Sequence, residues 1–223
     1  MSNIEREARN NKKKDPERII IEGSSLGIFS SSLQSSRAAV DRLETLLDQL
    51  DPLTRPRRSR RTFIVAQEII QNVLAILEPD LEKANIKVKP LTGNNKVLAW
   101  EADLFHAVYN LLHNSIYWTQ KKPPDDRKVE IEVRLLEEKQ NEENPKIEII
   151  ISDNGSGIKQ QSAPLIFDLG YTEKPDGYGV GLFIAREAIE RSGGTIDLLN
   201  PGEKGAKFRI ILGGQQNHVN STT

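Results

Sequence analysis

Between Asp153 and Leu182 the chain reads DNGSGI, then IFDLGYTEK, then GYGVGL, and passes directly into the amphipathic stretch FIAREAIERSGG. Few folds accept two glycine-rich turns this close together with a helix start at the second. Gly155 and Gly157 let the backbone after Asp153 adopt positive φ and approach a flat ring. Gly177, Gly179 and Gly181 precede a helix expected over 181–192, whose amino end offers unpaired N–H groups to phosphate. An acidic residue followed by two such turns suits a purine and its phosphates. Two other nucleotide folds do not fit. The spacing is GxGxG and not GxGxxG, residues 168–176 do not read as a strand, and there is no GxxxxGK[ST] loop.

Asp153 closes a strand-like run and enters the first turn. A carboxylate there can accept a hydrogen bond from the exocyclic amine of adenine, which guanine lacks. DxGxG also describes ordinary turns and some calcium loops, but a calcium loop needs further acidic ligands and a glutamate at its twelfth position, and these are absent. Upstream, HAVYNLLHNSIYWT places Asn110 and Asn114 four apart on a predicted helix, Ala102–Thr119, one turn above each other. Their amide oxygens can reach a magnesium ion and the phosphates it bridges. Taken alone, they equally describe two polar residues on a wet helix face.

The rest of the chain frames this segment. Hydrophobic content of 37% supports one core of ordinary size in 223 residues, and a net charge of −1 argues against direct nucleic-acid binding. No cysteine is present, which removes disulfides and thiolate chemistry. No apolar run approaches a membrane span and no secretory signal is visible, so a cytoplasmic location is expected. Residues 1–22 read as a disordered lead-in and 214–223 as a disordered tail. In the helical segment 23–54, Leu26, Phe29, Leu33, Ser36, Val40, Leu43, Leu47 and Leu50 alternate spacings of three and four. That seam needs a partner, and a second copy is the simplest, so a homodimer through 26–50 is expected. Pro52 and Pro56 stop the helix, and Arg55 to Arg61 form a basic linker over 55–61, either a solvated hinge or a contact for an acidic partner.

The domain proper is expected over 62–213. Ile69, Ile70, Val73, Leu74, Leu77 and Leu81 form a helical stripe. Ile86–Lys89, Val129–Leu135, Ile147–Ser152, Thr195–Leu199 and Lys207–Leu212 read as strands, with a turn at 93–95 and a long hairpin tip, EEKQNEENP. Helices mixed with a largely antiparallel sheet give an α+β two-layer sandwich.

The order of these blocks resembles the N box, first glycine box, F box and second glycine box of the GHKL (Bergerat) ATP-binding superfamily, closest to the histidine kinases. The resemblance covers about Arg61 to Gly213. It implies ATP and Mg2+ as ligands, with Asn114 on the metal. Asn110, Asp153, Gly155, Gly157, Phe167, Thr172, Lys174, Gly177, Gly179, Gly181 and Leu182 would surround the nucleotide. Asn110 and Lys174 take the catalytic positions, and Phe167 packs beneath a lid whose Lys174 meets the terminal phosphate. Gyrase-like and chaperone ATPases carry glutamate where this chain has Asn110. An amide cannot accept a proton from water, so Asn110 points to phosphoryl transfer to a protein side chain over hydrolysis. A nucleotide-gated interaction module and an ATPase switch are the alternatives.

Three departures from the family pattern stand out. Tyr117, followed by Trp118, occupies a position where the family often has lysine or arginine, so a cationic contact is missing unless Lys121 or Lys122 supplies it. Ala206 and Lys207 stand where a small hydroxyl residue often assists the adenine aspartate. The three histidines, His106, His113 and His218, include no plausible phospho-acceptor. The acceptor is then a histidine on a partner protein or on a separate helix, or a serine in Ser30–Ser36, and a receiver-type domain is the downstream partner the resemblance suggests.

Overall fold

The computed structural model describes residues 30–34, 36, 37, 60–136, 145–175 and 177–215. The chain divides into two units, Met1–Asp48 and Gln49–Thr223. In the first, Ser30–Gln34, Ser36 and Arg37 are helical. Most of the 26–50 seam, the lead-in, most of the basic linker and the hairpin tip lie outside the described residues.

The second unit opens with β1 (Thr62–Val65), α1 (Ala66–Lys83), β2 (Lys96–Ala99) and α2 (Glu101–Thr119). A single 3-10 turn, Pro124–Asp126, leads to β3 (Val129–Leu136) and β4 (Lys146–Asp153). After the long loop come α3 (Gly181–Arg191), β5 (Thr195–Leu198) and β6 (Lys207–Gly213). The four-stranded sheet has the order β3-β4-β6-β5 and every pair in it is antiparallel.

Side-chain alternation sorts this sheet into two faces. Ile147, Ile149 and Ile151 of β4, with Phe208, Ile210 and Leu212 of β6, join one core with Ile70, Val73 and Leu77 of α1, Leu104, Leu111 and Leu112 of α2, and Ile189 of α3. The opposite face carries cross-strand ion pairs, Arg134 with Glu148 and Arg209 with Asp197, at directly opposed positions. The result is the expected α+β sandwich, helices over one face of the sheet.

Two expectations for the local structure change. Ile86–Lys89 forms no strand: Ile86 is buried and Val88 packs on the core, but the segment has no ladder partner. Its alternating pattern reports which side chains are buried, not pairing. Conversely β1 and β2, unforeseen, pair from Thr62 with Ala99 to Val65 with Lys96. Gly214 and Gln215, expected in the tail, join them to the main sheet: Gly214 bridges Val97, and the Gln215 N–H donates to the Lys96 carbonyl at 3.1 Å.

Helix α1 ends with Asn85 at φ 52, and the N–H of Ile86 returns to the carbonyl of Leu81 at 2.9 Å. Asparagine is one of the few residues that tolerates this left-handed cap. Helices α2 and α3 are tied by Arg191, whose Nη2 lies 3.1 Å from Asp103 Oδ1, with the carboxylate side chain 1% exposed. Arg191→Met leaves that buried carboxylate without its guanidinium and is expected to cost about 3 kcal/mol. Urea unfolding would read this as a lower midpoint at unchanged slope.

Candidate functional site

A cavity of about 380 Å³ opens between the second half of α2, the loop after β4 and the start of α3. Asn110, Asn114, Gly157, Thr172, Lys174, Gly177, Gly179, Gly181 and Leu182 line it, all singled out by sequence. Tyr117 and Trp118 also line it, as do His113, Tyr171 and Tyr178, to which no sequence motif points. Helical spacing was the available signal: His113 and Tyr117 flank Asn114 on the turn that Asn110 begins.

Asp153 sits at the end of β4, behind the cavity wall. Its Oδ1 accepts from the N–H of Gly155 at 2.8 Å and from that of Ala206 at 3.3 Å. Ala206, which lacks the expected hydroxyl, thus reaches the aspartate through its backbone. Burial pushes the Asp153 carboxyl above its ordinary range, while these two N–H groups and the Ser115 hydroxyl pull it back. Ser115 is itself buried, and its Oγ has no hydrogen-bond partner of good geometry. Gly155 stands against the Trp118 backbone, and Gly157, at φ +79, leaves no room for a Cβ beside the Glu203 carbonyl. Asp153 and Gly155 do not themselves line the cavity; their turn meets it through Gly157 and the neighbouring Trp118.

Phe167, expected among the nucleotide contacts, is a core residue that does not line the cavity; its ring meets that of Phe208 edge-on at 6.2 Å. It supports the loop that follows. In that loop the Gly170 N–H donates to the Gly179 carbonyl at 2.9 Å, closing 170–179 on itself. Ser162 Oγ and the Tyr171 hydroxyl both donate to Glu173 Oε1, at 2.9 and 3.1 Å. Thr172 Oγ1 accepts from the Lys174 N–H at 3.1 Å.

Lys174 then reaches across to α2, its Nζ 2.7 Å from Asn114 Oδ1. Burial lowers its pKa to about 8. Burial first and Lys174 second also lower the pKa of His113, against a smaller opposing pull from Asp80. Asn110 directs its Nδ2 back to the His106 carbonyl at 2.8 Å, leaving Oδ1 against Gly181. At that point α3 begins, Val180 providing no side-chain cap, so its first N–H groups are left toward the cavity.

Comparison with known proteins points the same way. The profile of the histidine kinase-, DNA gyrase B-, and HSP90-like ATPase family matches residues 100–216. The sensor protein TdiS of Thauera aromatica is 26% identical over 186 residues, covering 82% of this chain and 33% of TdiS. The sensor histidine kinase ZraS of Salmonella typhimurium is 28% identical over 175 residues, 77% of this chain and 35% of ZraS. The chain thus spans about a third of the length of the curated relatives it matches. Among solved structures, the mycobacterial sensor histidine kinase MprB aligns with TM-score 0.56 and 25% identity, covering 70% of this chain and 98% of that one. Full-length ShkA in complex with AMPPNP aligns with TM-score 0.62 over 88% of this chain and 40% of that one, a likeness in fold at 17% identity. Among the described residues, no helix is long and apolar enough to cross a membrane.

Proposed function

The chain belongs to the histidine kinase-, DNA gyrase B-, and HSP90-like ATPase family, and from that premise we propose that it binds Mg-ATP in the cavity and transfers the γ-phosphoryl group to a protein side chain. The observation that carries this reading is the convergence of Asn114, Lys174 and the open amino end of α3 on one cavity. Adenine lies toward Asp153, and the phosphates run toward Lys174 and Gly181. Preorganised positive charge of this kind stabilises a transferring phosphoryl group chiefly by position and neutralisation.

Magnesium on a triphosphate takes only one or two protein oxygens, and the neutral amide oxygen of Asn114, which accepts from Lys174 at 2.7 Å, would take the ion as Lys174 turns to the terminal phosphate. Among the described residues no cluster of three or more His, Asp or Glu could hold a metal by itself, so the ion would arrive with the nucleotide. When bound it supplies neutralisation of the phosphate oxygens. Asn114→Ala is expected to weaken ATP binding about tenfold with magnesium present. In excess EDTA the difference between the two proteins should shrink, as calorimetry can check.

Transfer is favoured over hydrolysis because Asn110 cannot act as a base. Among the described residues Glu173 is the one carboxylate lining the cavity, and its Oε1 is engaged by Ser162 and Tyr171. The nucleotide-gated module remains the second reading, since His106 and His113 both lie within α2 and His113 lines the nucleotide cavity itself. The phosphorylated group would be a histidine on a partner or on a separate helix, with a receiver-type domain downstream, and residues 26–50 would pair two copies. Incubation with magnesium and γ-labelled ATP separates the readings. Label on the chain or on an added histidine-bearing helix establishes a kinase. Free phosphate alone establishes an ATPase, and binding with neither establishes the gated module.

A further inference from the structure

Tyr117 was read above as the loss of a cation, and its surroundings give it a different role. Asn114 and Tyr117 are three apart on α2 and so share a face. Across the cavity mouth, Lys174 Nζ lies 2.7 Å from Asn114 Oδ1 and 4.4 Å from the centre of the Tyr117 ring. Lys121 does not compete for this place: its Nζ sits 4.0 Å from the Trp118 ring centre and 5.7 Å from that of Tyr117. Tyr117 and Trp118 meet edge to face at 5.1 Å, and each holds its own lysine.

We propose that Tyr117 is a positioning residue: its ring seats the Lys174 ammonium against Asn114, so that the loop delivers to the terminal phosphate the cation that α2 does not carry. The proposal rests on the ATP reading above. A second lysine at position 117 would repel Lys174 across this short distance, whereas the negative face of a ring attracts it, more strongly because the ammonium is half-buried. The loop is shaped to the same end. Gly177 abuts Thr172 Oγ1 and the Lys174 Cβ so closely that any side chain there would displace them. The Lys174 main chain is pinned by Thr172. Ring and loop together fix a side chain that would otherwise sample many rotamers.

Two measurements on the full chain test this. In the ligand-free protein, NMR should find the Lys174 side-chain methylene protons shifted upfield by the ring current, in wild type and in Tyr117→Phe but not in Tyr117→Leu. Calorimetry then compares ATP with ADP, whose difference isolates the terminal phosphate and whose ADP arm verifies a folded site. Tyr117→Leu and Lys174→Met should each cut the preference for ATP about fivefold, the double variant no further, and Tyr117→Phe should keep it. Ordinary Lys174 shifts in the wild type would overturn the seat whatever ATP does. An unchanged ATP preference in Tyr117→Leu, or losses that multiply in the double variant, would overturn the positioning role. Shifted Lys174 protons in a wild type that binds no ATP would instead defeat the nucleotide reading, and with it the delivery of the cation.

Discussion

Asp153→Asn is expected to weaken ATP binding by about hundredfold or more while leaving the fold intact. The carboxylate uses Oδ1 on the N–H groups of Gly155 and Ala206, which leaves its other oxygen for an amine. Asparagine can keep the first pair of contacts, but it then turns its own NH2 toward the amine of adenine. Donor faces donor in a desolvated place, and sites built around a specific hydrogen bond reject such a mismatch strongly. Stability should move the other way. Because burial raises the folded pKa of Asp153 above its ordinary 3.8, ionising it penalises the fold. That penalty is absent below the ordinary value and grows as pH rises through the folded pKa. The variant should therefore melt at the same temperature as wild type near pH 3 and higher at neutral pH. Scanning calorimetry and ATP titration on one preparation check both halves. Undiminished binding would mean that the purine does not lie at Asp153.

Gly179→Ala should cost about hundredfold in ATP affinity through geometry alone. Gly179 has φ +68, and a Cβ there would lie 2.3 Å from the Gly170 carbonyl carbon and 2.5 Å from the Tyr171 nitrogen. Main-chain atoms cannot yield by rotating, so the two ends of the loop must part and the 170–179 hydrogen bond must break. Misplacement of a phosphate-contacting segment by about 1 Å is enough for a loss of this order. Gly170→Ala provides the contrast. Its φ is +87 but nothing lies within 4 Å, so it carries only the backbone strain of a left-handed alanine, about 1 kcal/mol. Displacement of a fluorescent ATP analogue should separate the two variants, while their urea midpoints stay close. Equal, small effects would mean that the loop closure is not needed for binding.

Sequence reading reached far where local rules govern. Helix α2, strands β3 and β4, and the start of α3 declare themselves by apolar period and glycine punctuation, and the boxes follow from their order. Strands β1 and β2 were illegible because each is four residues long and its partner lies some thirty residues away; no local period encodes that pairing. The same limit applies inside the site. Asn114 and Tyr117 could be placed on one helix face, but Lys174 arrives from sixty residues downstream, where its reach depends on how the loop closes. Tyr117 therefore looks in the sequence like a deletion of charge, although in the fold its ring lies 4.4 Å from the Lys174 ammonium. Ala206 misled for a related reason, since its contribution is a backbone N–H that residue identity does not reveal.

The Arg191–Asp103 tie has a mechanical meaning. It fastens the beginning of α2 to the end of α3, and Arg61 locks onto the same corner, donating to the Ser192 carbonyl at 2.9 Å and stacking over Trp100. The cavity lies at the opposite ends of these two antiparallel rods, about 15 Å away at the rise of a helix. The tie sets the spacing of the two helices at one end, and that same corner is where the last arginine of the basic run is attached.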